Sequence, residues 1–281
     1  MSYTTDLTDE QFELLDSIIP KSKTKWNIIP RRKIFNAIFY QLKNGCQWRD
    51  LPKEFPKWET VYSQFRRWKQ REVWKSALLI LAELERVKLG KNEIPSLLLG
   101  DSQAVKNTNT ASIETKGFCH YKNVNGIKRH LLVDVLGNPY FTKATKANLS
   151  DDEGLIEIIQ DNQNFFLNLP DNHVITILLD NGYHKQKLEK EIKKINPDLL
   201  KYIKIEITEK ISPKQREESK KKNPKKQGFV VQYKRWIVER TNAWVNQCRV
   251  LWKNCEGKLC TSEAKIRLCS IRLILRRLRP A

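Results

Sequence analysis

Cysteine and histidine, the residues of common zinc and redox sites, are scarce and scattered in this sequence. Its 281 residues include six cysteines and four histidines. No two cysteines form a C-x-x-C pair, which disfavours a zinc site. We expect reduced cysteines instead, several of them in the core.

Long apolar runs are also missing. The longest, such as LLIL at 78–81 and ITILL at 175–179, are far too short to span a bilayer. The N-terminal residues MSYTTDLTDEQ are acidic and polar, unlike a signal or transit peptide. We therefore expect a cytoplasmic protein with no membrane partner.

Acidic residues are outnumbered by basic ones. The sequence has 52 Lys or Arg against 32 Asp or Glu, which gives a formal net charge of +20. This excess favours a polyanionic partner, and the short apolar runs favour double-stranded DNA over a membrane surface. Hydrophobic residues make up 40% of the chain, enough for the core of one large domain or two smaller ones.

Residues 1–90 are predicted to form a helical, basic DNA-binding module. Helical patterns occupy 6–20, 31–44, a stretch from about 59, and 72–89. Between Lys21 and Lys75 there are 15 Lys or Arg but only four Asp or Glu, which suits docking on a duplex. Interleaved tryptophans are expected mostly in the core of the module. The arginines expected to contact DNA are Arg31, Arg32, Arg66 and Arg67.

Residues 91–281 are predicted to form an α/β domain. Apolar runs predict strands at 96–105, on both sides of a turn at 136–139, at 174–183 and at 201–207. A capping box at 150–153 begins a helix that extends to about 166, and another helix spans 184–195. This order predicts a mixed five-stranded sheet flanked by helices. The charged, low-complexity segment 209–227 is interpreted as a loop or insertion.

Two aspartates interrupt apolar strands. Asp101 follows SLLLG, and Asp180 ends ITILLD. A carboxylate in a buried strand is costly unless it is paired or metal-bound, although each residue alone is also typical of a strand end or turn. At the same depth of neighbouring parallel strands, the two would form one acidic site.

Glu239 is a carboxylate among basic neighbours. If residues 235–253 form one helix, Glu239 shares a polar face with Arg235, Asn242, Asn246 and Lys253, opposite a face that includes Trp244 and Trp252. This pattern fits a solvated salt bridge and a metal ligand equally well. With the two aspartates, Glu239 would complete an all-oxygen site for two Mg²⁺ ions, or Mn²⁺ in their place. The residues expected to hold DNA around that site are Arg235, Arg240, Asn246, Arg249 and Lys253.

Other polar residues in this region have structural explanations. Asp134 lies in a strand beside a hairpin turn, and His130 is interpreted as a strand residue. Asp151, Asp152 and Glu153 are explained by helix capping and the helix dipole.

Five stretches occur in an order that resembles the DDE transposases of the bacterial insertion-sequence-five type. They are GCQWRDLPKEFPKWETVYSQFRRW, GDSQAVK, GIKRHLLVDVLG, LLDNGY and GFVVQYKRWIVERTNAWVNQCRVLWKNCE, and they cover about 30 to 279. The resemblance implies a ribonuclease H-like catalytic domain in which Asp101, Asp180 and Glu239 are the catalytic metal ligands. It also implies an Arg four residues before the Glu, matched by Arg235. A Lys is implied seven residues after the Glu, where this chain has Asn246 and, one heptad further, Lys253.

The function implied by this resemblance is transposition. The helical module would bind the ends of a mobile element, and the catalytic domain would cut and join DNA as a homodimer on its substrate. Two alternatives remain open at this point. One is a catalytically silent, transposase-derived DNA-binding protein, and the other is a ribonuclease H-like nuclease or resolvase that cuts without joining.

Overall fold

A mixed β-sheet forms the centre of the part of the chain that follows the N-terminal helices. The structure is a computed structural model that describes residues 3–21, 29–208 and 234–278. The strands in these segments are β1 Leu97–Lys106, β2 Phe118–Cys119, β3 Val124–Val133, β4 Pro139–Lys146, β5 Ile175–Leu179 and β6 Ile203–Ile207.

The strand order places β1 in the middle of the sheet. β3 pairs with β1 antiparallel, and β4 and the short β2 pair with β3 antiparallel. On the other side, β5 pairs with β1 parallel and β6 pairs with β5 parallel. The predicted mixed, ribonuclease H-like sheet of five main strands is confirmed, and the two-residue β2 is added to it.

Helices surround the sheet and form the N-terminal region. They are α1 Asp9–Ile18, α2 Arg31–Asn44, α3 Trp58–Gln70, α4 Val73–Lys88, α5 Asp151–Asp161, α6 Gln163–Leu167, α7 Lys185–Ile195, α8 Leu199–Tyr202, α9 Arg235–Val245 and α10 Leu259–Arg277. The predicted capping box of α5 is confirmed, because the Ser150 hydroxyl accepts from the Glu153 backbone and the Glu153 carboxylate accepts from Ser150 N–H. None of the helices in the described segments has the length and apolar character needed to cross a membrane.

The N-terminal helices pack against α10. Gln11 Nε2 donates to Leu275 O, and Lys265 Nζ donates to Gln41 Oε1 at 2.8 Å. Buried side chains of both regions, including Trp74 and Ile271, belong to one hydrophobic core. The division into two domains at residue 90 therefore stays a prediction, since packing continues across it. The predicted segment 209–227 lies outside the described residues.

One helix is shorter than the periodicity predicted. α9 ends at Val245 with Asn246 as its C-cap, and a short 3-10 helix follows at Arg249–Leu251. Trp252, predicted on the buried face of a helix spanning 235–253, is instead 63% exposed. The 3-10 helix packs against α2 beside Gly45, where a Cβ would meet the Arg249 side chain at 3.3 Å. This long-range packing overrides the continuous helical pattern.

Asp134 anchors the β3–β4 turn from a fully buried position. Its Oδ1 accepts from the backbone N–H groups of Leu136 at 2.9 Å and Asn138 at 2.8 Å. Its Oδ2 accepts from Arg86 Nη1 at 2.9 Å. This carboxylate therefore ties α4 to the sheet, in agreement with its structural interpretation.

Replacing Asp134 with Ala should destabilise the protein by about 3–5 kcal/mol, because Arg86 would remain buried without its counter-charge. Urea unfolding would measure the loss. The control is Asp171→Ala, at an exposed turn aspartate, which should change the unfolding free energy by no more than about 0.5 kcal/mol. A loss for Asp134→Ala as small as that of the control would contradict this account.

Candidate active site

The register of β1 and β5 brings the two predicted aspartates to one level. Leu99 of β1 lies opposite Leu178 of β5 in the parallel ladder. Asp101 and Asp180 each come two residues later along their strand direction, so they lie at the same level of neighbouring parallel strands. Asp101 lies within β1, and Asp180 comes directly after β5. The sequence prediction that these two carboxylates meet is supported by this register.

A single guanidinium lies between the two carboxylates. Arg235 Nη2 is 3.5 Å from Asp101 Oδ1 and 3.5 Å from Asp180 Oδ2. The Arg235 Nη1 atom also donates to Gly100 O at 3.4 Å. Arg235 is the first residue of α9 and is only 8% exposed. It is therefore an ion-pair partner of the acidic site as well as a predicted phosphate contact.

Asn242 holds the other oxygen of Asp101. Its Nδ2 donates to Asp101 Oδ2 at 2.9 Å, from two turns further along α9 than Arg235. Helical periodicity placed Asn242 on this face of α9, but no feature of the sequence separated a partner of Asp101 from a solvated amide. This residue was missed as part of the site for that reason.

Burial and the Arg235 charge act in opposite directions on the pKa of Asp101. Burial raises the pKa of this carboxyl above its ordinary value and Asp180 adds to the rise, while Arg235 and the Ser102 N–H lower it without cancelling it. The neighbouring Tyr183 phenol is buried, and burial with the charges of Asp151, Asp101 and Asp180 raises its pKa well above the ordinary value. Tyr183 thus stays a neutral hydroxyl beside a site in which ionisation is costly.

α9 is fixed in place by the β3–β4 turn. Thr241 Oγ1 donates to Gly137 O at 2.9 Å, and Arg240 Nη2 donates to Leu136 O at 3.1 Å. Gly137 has a φ of +85°, and a Cβ there would meet Thr241 Oγ1 at 2.7 Å. The turn needs glycine for both reasons. Its close contact with α9 sets the position of Arg235 and Asn242 over β1.

Glu239 lies on α9 between the two residues that contact Asp101. It comes four residues after Arg235 and three before Asn242, so it shares their side of the helix. Its side chain is exposed, at the solvent edge of this face. Among residues 3–21, 29–208 and 234–278, no three His, Cys, Asp or Glu side chains stand in a metal-binding arrangement. Convergence of all three carboxylates therefore stays a prediction.

Asp101 and Asp180 fit a divalent cation by their chemistry. They supply hard carboxylate oxygens, which Mg²⁺ and Mn²⁺ prefer. The guanidinium nitrogen within 3.5 Å of both carboxylates occupies a position where positive charge is stabilised by the two of them. A metal ion at this position would offset the burial and the Asp180 charge, both of which raise the pKa of Asp101.

Some of the residues predicted to contact DNA are engaged within the protein, and others have exposed side chains. Arg31 and Arg32 pair with Asp16 and Asp9 and donate to backbone carbonyls, so they fasten α1 to α2. Arg240 is stacked on Trp236 and Trp244, with its guanidinium 4.6 and 4.3 Å from the ring centres. The backbone carbonyl of Asn246 accepts from the Trp252 indole N–H, a contact that leaves the Asn246 side chain out. The basic candidates with exposed side chains are Arg66, Arg67, Arg249 and Lys253.

The α5 N-terminus also borders the site. Asp151 accepts from Lys128 Nζ at 2.7 Å. Burial acts to raise the pKa of Asp151, but hydrogen bonds from Lys128 and Ser102 outweigh it and lower the pKa. Ser102 follows Asp101 in β1, so this contact joins α5 to the acidic edge. Capping explained Glu153 fully, but it did not identify these partners of Asp151.

Replacing Asp101 with Asn should not destabilise the metal-free protein at neutral pH. Folded Asp101 binds its proton more tightly than unfolded Asp101, so its ionised form lowers stability above the raised pKa. The Asn protein should match or exceed wild type at pH 7. Its advantage should vanish as the pH falls below about 3.9, where the unfolded carboxyl is also protonated.

Thermal melting across pH in a chelating buffer would measure this difference. The control is Asp171→Asn, at an exposed aspartate, and it should show no such pH-dependent gain. A clearly lower melting temperature for Asp101→Asn at pH 7 would contradict a net burial penalty at Asp101.

Comparison with known proteins gives one strong result. Residues 93–270 match the family model described as "Transposase DDE domain". Residues 7–78 match a second model, described as "Putative transposase of IS4/5 family (DUF4096)". No curated protein matches the chain at a significant level.

Among solved structures, the chain has a weak similarity to one described as "Crystal structure of the Mos1 mariner paired end complex with Mn". The identity is 10%, the match covers 96% of this chain and 84% of that chain, and the TM-score is 0.25. The DDE-domain model alone spans well over half of the chain and includes both aspartates and Glu239. The chain therefore belongs to the DDE transposases, enzymes that depend on divalent metal ions, and its N-terminal region is of the IS4/5 type.

Proposed function

We propose that this transposase binds the ends of a mobile element, cuts the DNA there and joins the freed 3′-hydroxyl to target DNA, with Mg²⁺ as its metal. The observation that carries the proposal is the pair of carboxylates, Asp101 and Asp180, that share one cationic partner, Arg235, beside the carboxyl end of β5. Mn²⁺ would serve in place of Mg²⁺.

Asp101, Asp180 and Glu239 would hold the metal. When bound, divalent ions supply activation of the attacking oxygen and stabilisation of the leaving oxygen. Arg235 balances the two aspartates in the absence of metal. With the two aspartates engaged as metal ligands, the Arg235 guanidinium would be available to the scissile phosphate, a role that suits its planar donors. Asn242 would keep Asp101 oriented throughout.

The DNA would lie across the exposed basic residues of both regions. Arg66 and Arg67 of α3 are exposed, as are Arg249 and Lys253 beyond α9. Arg31 and Arg32, by contrast, would act on DNA binding through the position of α1. We further propose that the protein works in the cytoplasm and forms a homodimer on DNA, since two element ends must be cut and joined together.

Replacing Glu239 with Gln should abolish cutting and joining while fold and DNA binding persist. The change removes a negative oxygen that the metal needs but keeps the shape of an exposed side chain. The substrate is a plasmid that carries the coding sequence with its flanking genomic DNA, incubated with Mg²⁺ or Mn²⁺. Melting temperature and gel-shift affinity serve as the controls for folding and binding.

Near-normal cutting by Glu239→Gln would mean that Glu239 is only a surface ion-pair residue. Cutting by the wild-type protein without any joined product would instead favour a nuclease or resolvase. Binding without cutting by the wild-type protein would favour a catalytically silent DNA-binding protein.

Replacing Arg66 and Arg67 together with Ala should weaken DNA binding and reduce its salt dependence. If both contact phosphates, the slope of log affinity against log salt should become shallower by about 1.8. Fluorescence anisotropy on a labelled duplex, over a range of salt, would measure it. The matched control is the Arg66→Lys, Arg67→Lys protein, which keeps both charges and should keep most of the slope. An unchanged slope for the Ala protein would place the DNA elsewhere.

A further inference from the structure

His184 is exposed but firmly held. It ends the loop between Asp180 and α7, and its side chain is 73% exposed. Its Nδ1 lies 2.9 Å from Asp152 Oδ2, and its backbone N–H donates to Asp152 Oδ1 at 3.0 Å. A surface histidine is ordinarily free to rotate, whereas this one has both its backbone and its ring tied to one carboxylate.

Asp152 is an unusual partner, because it is buried. Its side chain is 4% exposed in the first turn of α5, where Ser150 and Glu153 already form the capping box. A carboxylate at Nδ1 favours the tautomer with the proton on Nδ1. That tautomer leaves Nε2 as a proton acceptor on the outer side of the ring.

This pair lies beside the acidic site. Tyr183, the residue before His184, is buried, and its backbone N–H donates to Asp180 O at 3.2 Å. Asp151, the residue before Asp152, is hydrogen-bonded to Ser102, the residue after Asp101. Both members of the pair are therefore joined to the site by their immediate neighbours in the chain.

We propose that His184 is a further catalytic residue of this transposase, and that Asp152 is the positioning residue that orients it. The inference rests on the proposed DNA-cutting function and adds a proton acceptor to it. His184 Nε2 would contact the attacking oxygen, which is water in the cutting step and the freed 3′-hydroxyl in the joining step.

The proton balance of the step is simple. The attacking oxygen loses its proton to Nε2 as its bond to phosphorus forms. The bond between phosphorus and the leaving 3′-oxygen breaks, and that oxygen takes a proton from solvent. The imidazolium then returns its proton to solvent, so His184 is regenerated for the next step.

Charged groups from α5 and α7 flank His184, and Lys185 follows it in the chain. From α5 it faces Asp152, with Glu153 next to it, and from α7 it faces Lys187, whose Nζ is 3.5 Å from Asp152 Oδ2. Lys187 shares the carboxylate with the imidazole. Asp180 lies four residues earlier in the same loop.

The central test compares His184→Asn with wild type. Asn places an amide N–H near the position of Nδ1, so the bond to Asp152 and the loop can persist, but it has no atom at Nε2. Cutting of the flanked plasmid should fall by about 100-fold or more, as expected for loss of a general base, with melting temperature and DNA affinity unchanged. Asp152→Asn should also slow cutting, because it permits the wrong tautomer.

The pH dependence separates a catalytic role from a structural one. A protonated imidazole cannot accept a proton, whereas the asparagine amide carries no group that titrates. The ratio of the wild-type rate to the His184→Asn rate should therefore fall toward low pH. The ratio cancels any pH dependence that both proteins share, including that of the aspartates.

Added imidazole gives a second readout. It should restore part of the cutting by His184→Ala and leave the wild-type rate unchanged. Equal cutting by His184→Asn and wild type would overturn the inference and leave the proposed function intact, as would a rate ratio that is constant across pH. A wild-type protein that binds the plasmid but never cuts it would overturn both.

Discussion

The central constraint in this molecule is the repulsion between two carboxylates that the sheet forces together. The parallel pairing of β1 with β5 sets Asp101 and Asp180 at one level. Burial raises the pKa of Asp101, and the charge of Asp180 raises it further. A cation beside two carboxylates offsets their mutual repulsion and favours their charged forms. Arg235 supplies that cation in the described structure, and the site is built for positive charge.

The rest of the fold positions α9 next to the two aspartates. The helix carries Arg235 and Asn242 onto Asp101, and it is held by the glycine-containing turn between β3 and β4. That β-turn is fixed by the buried Asp134, whose carboxylate accepts a hydrogen bond from Arg86 of α4. Contacts from the N-terminal helices to α10 continue the same core. The N-terminal helices are therefore packed continuously with the elements that carry the acidic site.

Local patterns in the sequence predicted much of this arrangement. The apolar run before Asp101 and the run ending at Asp180 are strands, as predicted, because short buried strands and turn residues carry their own local signal. The length of α9 could not be predicted in the same way. Packing of the 3-10 helix Arg249–Leu251 against α2 ends the helical pattern, and it depends on residues about 200 positions away.

Contacts between residues far apart in the chain also could not be predicted from the sequence. Asp152 was explained by capping alone, but its partner His184 lies 32 residues further along the chain. Arg235 was predicted to hold phosphate, yet no local pattern indicated that both aspartates would contact it. Periodicity shows which face of a helix a residue lies on, but the residues that this face contacts depend on how the helix packs against the sheet.

A crystal structure with Mn²⁺, analysed by anomalous scattering, tests the central claim most directly. We predict an anomalous peak between Asp101 and Asp180, with the Arg235 guanidinium moved away from that position. Glu239 should turn toward the same peak. Crystals soaked in Mn²⁺ that show no peak there, with Arg235 still between the two aspartates, would contradict the account.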